Sequence, residues 1–435
     1  MSAKDVINRL VGSLARPTPQ RSAERLATLL RTLVSQRGEA SGAVLARRAV
    51  ALYRRLDAPA RRHFFSLLAR DFSPDRNAVL EAAVAYHRDP SPRHFAQLQR
   101  VAEPPRQEVF RRMNMAPEGT ATLLGLRREL FAVMKEDPSL AVVDHDLQHL
   151  LSSWFNRGFL ELRRIDWDNT PASILEKLIA YEAVHEIRGF PDLKRRLERD
   201  RRCFAFFHPA LPDEPLIFVE VAFVDEMPSD VAPILATESA VGDPRRARCA
   251  VFYSITSCQP GLRGVSFGNF LIKQVASDLH AELPNLKVFC TLSPIPGLRA
   301  WAEHAAARLP AVADSAAPVG EHDRETLESL AAWYLTRAWE HGQVSDPVAR
   351  FHLGNGARLE RVNWRADVST KGLAQSFGMM VNYVYDLAMV ERNHEAYVNR
   401  REVVCSGAIE KLAASAAPLL EKAANEAIPP EKSTT

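Results

Sequence analysis

The chain has 435 residues, 46% of them apolar and 25% charged, with a formal net charge of +3 at neutral pH. That length exceeds one ordinary core and predicts two or three domains, while the near-balanced charge gives no global signature of a nucleic-acid partner and the apolar runs are too short for a membrane span. Cys203, Cys249, Cys258, Cys290 and Cys405 are dispersed without CxxC spacing, which points to reduced thiols in a cytosol rather than a zinc or disulfide framework.

The opening MSAKDVINRLVGSLARP lacks the continuous apolar core of a secretory signal, and its Asp5 is unlike a transit peptide. The final EKSTT is not a peroxisomal tripeptide, so a cytoplasmic location is expected. Over residues 1–185 the pattern is helical. The stretches ERLATLLRTLV, GAVLARRAVALYRRL and RHFFSLLARDF repeat apolar residues at three- and four-residue spacing and break near prolines, which predicts an all-α bundle. Within it, VVDHDLQHLL sets His145 and His149 one turn apart with Asp146 close by. That spacing would serve a metal if a third ligand came from elsewhere, but without an HExxH arrangement the expected reading is polar residues on an exposed helix face.

Near residue 200 the character changes. RCFAFFH, PLIFVEVAFV, CAVFYSITS and LKVFCTL are short β-branched or aromatic runs, whereas FGNFLIKQVASDLHAEL repeats with helical period. Strands alternating with helices predict an α/β domain over 186–427. The stretch RLPAVADSAAPVGEHD reads as a connection, and 428–435 as a disordered tail.

The strand ending at Ser257 runs into CQPGLRGVSFGNF, where Gly261, Gly264 and Gly268 permit close backbone approach before a helix. Free N–H groups at a helix start attract phosphate, and Arg263 adds a fixed cation; a plain strand-to-helix turn uses glycine as readily. Neither a Walker loop nor a GxGxxG fingerprint is present. Arg263-x-x-Ser266-x-Gly268 is similar to the pyrophosphate loop of the GNAT acetyltransferase fold, Q/R-x-x-G-x-G/A, with serine in place of the first glycine.

Downstream, TLSPIPGLRAW, PVARFHLGNGARLERVNWRADVS and GLAQSFGMMVNYVY follow in order, preceded by WFNRGFLELRRIDW and YEAVHEIRGFPDLKRRL. On these motifs the chain resembles the malonyl-CoA decarboxylase family from about residue 150 to 390. The resemblance implies an α+β chain, an N-terminal all-α helical bundle followed by an α/β acetyltransferase-like (GNAT fold) catalytic domain. It implies Ser293 and His352 as the catalytic pair, with Tyr385 in their hydrogen-bond network. It also implies substrate contacts from Ser293, His352 and the loop Arg263, Gly264, Val265, Ser266, Phe267, Gly268 and Asn269. Some members carry glutamate at the position of Ser266. The family is generally oligomeric, so a homo-oligomer is expected, either a dimer or a tetramer built from dimers. Malonyl-CoA and acetyl-CoA are the expected ligands.

Loss of carbon dioxide from malonyl-CoA sends two electrons into the thioester carbonyl, so the substrate carries its own electron sink and neither metal nor organic cofactor is expected. The enolate then needs a proton. His352 is the expected donor, because an ordinary histidine pKa of about 6.5 lets it donate near neutral pH. Pro294 and Pro296 restrict the turn after Ser293 and so aim its hydroxyl. Taken singly, each residue has a plainer reading: a proline-rich connection, a satisfied core histidine, a core aromatic at Tyr385, an Asn-Gly turn at Asn355. Glu182 and His185 of YEAVH read as structural. Two other functions share these features, a CoA-dependent N-acyltransferase and a non-catalytic CoA-sensing scaffold.

Overall fold

The computed structural model describes residues 18–35, 39–265, 271–305 and 320–425. Residues 266–270 of the glycine loop, most of the Ala/Pro/Asp-rich connection and the tail 428–435 lie outside them. The chain forms two compact units.

Of the described residues, the first unit contains those up to Leu160 together with two later segments, His208–Leu211 and 259–265. Its helices include Pro19–Ser35, Ala58–Asp71, Pro105–Asn114, Gly119–Met134 and Ala141–Trp154. Each buries one stripe. In Pro19–Ser35 the buried residues are Ala23, Leu26, Ala27, Leu30 and Leu33, the three-and-four spacing of a helix lying on a core. They share that core with Phe64, Phe110, Leu126 and Leu147. Side-chain caps mark the breaks: Asp57 accepts from the Ala60 N–H at 2.9 Å, and Asp75 accepts from the Asn77 N–H at 2.9 Å and the Ala78 N–H at 3.3 Å.

The second unit is built on a mixed sheet. Strands β1 (Glu161–Ile165), β2 (Arg201–Phe207), β3 (Ile217–Val224) and β4 (Cys249–Ser257) form an antiparallel meander. β5 (Val288–Thr291) follows the helix Leu271–Glu282 and lies parallel to β4, as a helical crossover requires. β6 (Ser293–Pro294) comes next, then a separate hairpin of β7 (Trp339–Glu340) and β8 (Gln343–Val344), then β9 (Arg358–Asn363) and β10 (Met380–Val384). The order across the main sheet is β1-β2-β3-β4-β5-β10-β6, with β9 also paired to β10. One face carries Ile174, Leu178 and Leu193 against Cys203, Ala205 and Phe218. A second cluster joins Val231, Ile234 and Ala366 to Val251, Tyr253, Cys290 and Met380.

Two local features of this unit stand out, the first of which positions the site. β4 and β5 pair only from Cys249↔Val288 to Phe252↔Thr291. Beyond that point β4 runs on to Ser257 against β3, with a bulge at Glu220/Val221, while the chain after β5 turns toward β10 and Ser293 pairs with Val381. The second feature corrects the sequence expectation: Glu161–Ile165 lies in a stretch read as helical but forms β1. Its apolar residues Leu162 and Ile165 fit neither period cleanly, and pairing with Cys203–Phe207 of β2 decides the outcome. Arg163 covers this strand by stacking 4.5 Å from the Phe207 ring centroid, and such charged residues protect a sheet margin.

Candidate active site

Ser293 sits where the sheet passes from β5 to β6 and is 5% exposed. Its hydroxyl donates to Thr291 Oγ1 at 2.9 Å and lies 3.0 Å from His352 Nε2. Thr291 Oγ1 also accepts the Tyr383 N–H at 3.2 Å, so the position of the serine is tied to β10. Pro294 lies opposite Met380 on β6, a short marginal strand where a missing N–H is tolerated. Gly297 ends the turn because a Cβ there would run into the Tyr334 hydroxyl.

His352 comes from the last turn of the helix Pro347–Gly354, whose N-cap is Asp346 and whose first residue is Pro347. Its Nδ1 lies 2.8 Å from the Tyr385 hydroxyl. The imidazole stacks on the Tyr383 ring, with centroids 4.6 Å apart and 25° between planes. The hydroxyl of Tyr383 is buried without a partner among the described residues. Tyr385 continues β10, its N–H donating to the Phe289 carbonyl at 2.8 Å and its ring edge-on to Phe252.

The electrostatics follow from burial. His352 is 2% exposed, and removal from water pushes its pKa down to about 3, because the charged imidazolium loses hydration. The ordinary histidine pKa expected from the sequence therefore does not apply, and the free protein holds a neutral ring at neutral pH. Burial likewise pushes the Tyr385 phenol well above its usual range. A neutral ring carries one proton: with the Ser293 proton on Thr291, Nε2–H donates to Ser293 and Tyr385 donates to Nδ1, whereas in the other tautomer both bonds reverse and the Ser293 proton leaves Thr291 for Nε2. Thr291, Ser293, His352 and Tyr385 thus form one hydrogen-bonded chain that can pass a proton by switching tautomer.

Arg263, Gly264 and Val265 belong to the helical unit, whereas Ser266, Phe267, Gly268 and Asn269 lie outside the described residues. In the described part, Gly261 is pressed so closely on the Leu124 carbonyl that a Cβ would overlap it. Buried Arg127 donates to the carbonyls of Gly261 and Arg263, each at 2.9 Å. Gln148 donates to the Gly264 carbonyl at 2.8 Å. These bonds hold the carbonyls of the loop, while the N–H groups of Leu262, Arg263 and Val265 donate within the turn to the carbonyls of Gln259, Pro260 and Leu262. The Arg263 guanidinium lies 4.3 Å from the Phe131 ring centroid; stacking of this kind leaves the N–H groups at its edge available to a phosphate.

The other sequence candidates have plainer surroundings. Glu182 accepts the N–H groups of Val184 and His185, both at 2.8 Å, and the hydroxyls of Ser254 and Thr256. His185 is buried, and burial brings its pKa down to about 4. The Asn355 side chain donates to the Phe351 carbonyl at 2.7 Å and closes the His352 helix. His145 and His149 lie on the exposed side of their helix. Asp146 turns instead to buried Arg106 and to Gln107, and no three His, Cys, Asp or Glu side chains cluster at metal distance among the described residues.

Sequence reasoning passed over Thr291, Tyr383 and Asp346. Thr291 and Tyr383 each stand two residues from a chosen residue, on the same side of a strand, and that period-two spacing was the available signal. Asp346-Pro347 is a helix-start signature six residues before His352.

The profile of the malonyl-CoA decarboxylase C-terminal domain matches residues 158–426, and that of the malonyl-CoA decarboxylase N-terminal domain matches residues 72–155. The chain is 34% identical over 407 residues to mitochondrial malonyl-CoA decarboxylase of Anser anser anser, covering 82% of this chain and 81% of that one. It is 33% identical over 409 residues to the Rattus norvegicus protein of the same name, covering 82% of each. The crystal structure of malonyl-CoA decarboxylase from Rhodopseudomonas palustris is similar with a TM-score of 0.83 and 46% identity, over 89% of this chain and 99% of that one. That from Cupriavidus metallidurans gives 0.74 and 39%, over 90% and 100%.

Proposed function

This chain belongs to the malonyl-CoA decarboxylase family, and from that premise we propose that it converts malonyl-CoA to acetyl-CoA and carbon dioxide, with Ser293, His352 and Tyr385 delivering the proton. The observation that supports this most is the pair of contacts on one buried imidazole, 3.0 Å to the serine and 2.8 Å to the tyrosine.

In the reaction the bond between the carboxylate carbon and the α-carbon breaks, and its electron pair enters the thioester carbonyl. One proton must then be added to the α-carbon. With a pKa near 3, charging His352 at pH 7 in the free protein costs about 5 kcal/mol. The malonyl carboxylate offsets that cost when it enters beside the ring, because a nearby anion favours imidazolium. Decarboxylation then moves that negative charge into the thioester as the enolate while carbon dioxide leaves neutral, so the imidazolium faces an α-carbon far more basic than the carboxylate it replaces. Its Nε2 proton passes to Ser293 while the serine proton passes to the carbon, and Tyr385 accepts from Nδ1–H throughout. The thioester carbonyl is the electron sink, so the proposal assigns no metal or organic cofactor.

The reading extends to an acetyltransferase-like (GNAT) fold for the sheet unit, supported by the antiparallel meander, the bulge on β3/β4 and the short parallel pairing of β4 with β5. It assigns the coenzyme A pyrophosphate to the loop Arg263–Asn269. It includes a homo-oligomeric assembly and a cytoplasmic location; among the described residues no helix is long and apolar enough to cross a membrane.

The test supplies malonyl-CoA as sole substrate and measures carbon dioxide and acetyl-CoA together. Equal yields of both are expected, and His352→Asn should lower kcat by about 10² to 10⁴ with a modest change in KM. An absolute requirement for an amine acceptor, or unchanged turnover in both Ser293→Ala and His352→Asn, would refute the proposal.

A further inference from the structure

Asp346 is 0% exposed, and a buried carboxylate is costly unless each oxygen has a task. Its Oδ1 accepts the N–H groups of Val348 and Ala349, both at 2.9 Å, and so caps the helix that ends in His352. Its Oδ2 accepts the N–H of Gly297 at 3.5 Å, and Gly297 closes the turn that begins at Ser293. One carboxylate therefore ties together the two segments, 59 positions apart in sequence, whose side chains meet at Ser293 Oγ and His352 Nε2. The Tyr334 hydroxyl, packed where a Gly297 Cβ would be, holds that turn against the carboxylate. Tyr383, under the imidazole, is close enough for Asp346 to raise its pKa further.

We propose that Asp346 is a positioning residue that sets the separation of Ser293 and His352 through its two oxygens, and that it does so only as the anion. The inference rests on the decarboxylase reading above. The chemistry of Oδ2 gives it its sign. A protonated Oδ2 is a donor facing the Gly297 N–H, another donor, so protonation breaks the bond to the serine turn. The cap at Oδ1 survives, because a carbonyl oxygen still accepts. The groups facing the carboxylate are Arg350 on its own helix, Tyr334 on the helix Arg324–Arg337 and Tyr383 on β10. Burial outweighs the three backbone donors and Arg350, and raises the pKa of Asp346 to about 6. The clamp therefore forms as pH rises through that value.

Asp346→Asn imitates the protonated form at every pH, since its amide keeps the oxygen for the cap and presents an N–H to Gly297. The test measures kcat and KM for malonyl-CoA from pH 5 to 8, with the thermal midpoint at pH 7.5. The wild type should show an acid limb near pH 6. The variant should be about 10-fold to 10²-fold slower at pH 7.5, the scale of a small misplacement of reacting groups. It should lack that limb and keep its KM within about twofold, as expected for a loss confined to the transition state. Its thermal midpoint should be no lower than wild type. A carboxyl whose pKa is raised on folding favours the fold when neutral and opposes it when ionised, so removing the charge at pH 7.5 does not weaken the protein. If the asparagine variant fails to fold, Asp346→Ser, which retains a capping oxygen but falls short of Gly297, reads the same kinetic loss. Wild-type kcat in the variant, an unshifted acid limb, or a rise in KM at constant kcat overturns the inference while leaving the decarboxylase reading intact. A wild type that releases no carbon dioxide from malonyl-CoA sinks that reading instead, and this inference with it.

Discussion

Replacing Tyr385 by phenylalanine removes one oxygen and little else. The ring keeps its edge-on contact with Phe252, and the backbone keeps its bond to Phe289. Lost is the hydroxyl 2.8 Å from His352 Nδ1, in a pocket where the tyrosine is 1% exposed and water has no ready access. Leaving a buried polar nitrogen unpaired costs about 1 to 3 kcal/mol, and a hydrogen bond to a charged group is worth about 1.5 to 3 kcal/mol. Because imidazolium is the form proposed to deliver the proton, the upper range applies to the transition state, and kcat should fall by about 10-fold to 150-fold. KM should stay within about threefold, since the lost bond is to His352 and not to substrate. Acetyl-CoA formation from malonyl-CoA, followed over a range of substrate concentrations at pH 7.5, decides the matter. A kcat within about twofold of wild type would show that Nδ1 does without this partner, and the proposed relay would be wrong.

Arg263→Ala should weaken coenzyme A about 5-fold to 30-fold, the range of one or two kcal/mol in a charge-assisted phosphate contact, and should leave pantetheine derivatives that lack the pyrophosphate unaffected; calorimetric titration of both ligands checks it, and equal losses would remove Arg263 from the phosphate site. Arg127→Leu strands Asp144 and the carbonyls of Gly261 and Arg263, and should cost about 3 to 5 kcal/mol in denaturant unfolding. His185 and His352 both have folded pKa values below the ordinary histidine value of 6.5. Between pH 6.5 and about 4 the unfolded chain therefore binds more protons, and stability present above pH 6.5 is lost as the pH falls. His185→Gln should make that decline shallower by up to about 1.4 kcal/mol per pH unit, and parallel curves for wild type and variant would refute the assignment.

The parts of this protein that can be read from the sequence are those where local chemistry dictates the outcome. The stripe Leu26, Leu30, Leu33 announces a helix, the β-branched runs from Cys203 to Thr256 announce strands, and proline on both sides of Ile295 announces a constrained turn. Ser293, His352 and Tyr385 were legible because each sits in a motif with distinctive neighbours. β1 was not, because its fate depends on β2, some forty positions later, and no local period records that pairing. Asp346 announces a cap but not its second oxygen, since the bond to Gly297 exists only after two distant segments fold together. The lowered pKa of His352 was illegible for the same reason: it belongs to the burial of the ring and not to the residue type.

The segment 259–265 is written late in the chain but built into the early helical body, where Leu124, Arg127 and Gln148 support it from behind. A protein shortened to begin near residue 160 would still encode every member of the loop and would lack the scaffolding beneath it. Such a fragment would leave the Gly261, Arg263 and Gly264 carbonyls without Arg127 and Gln148, so the helical half is a structural part of this late segment rather than an appendage.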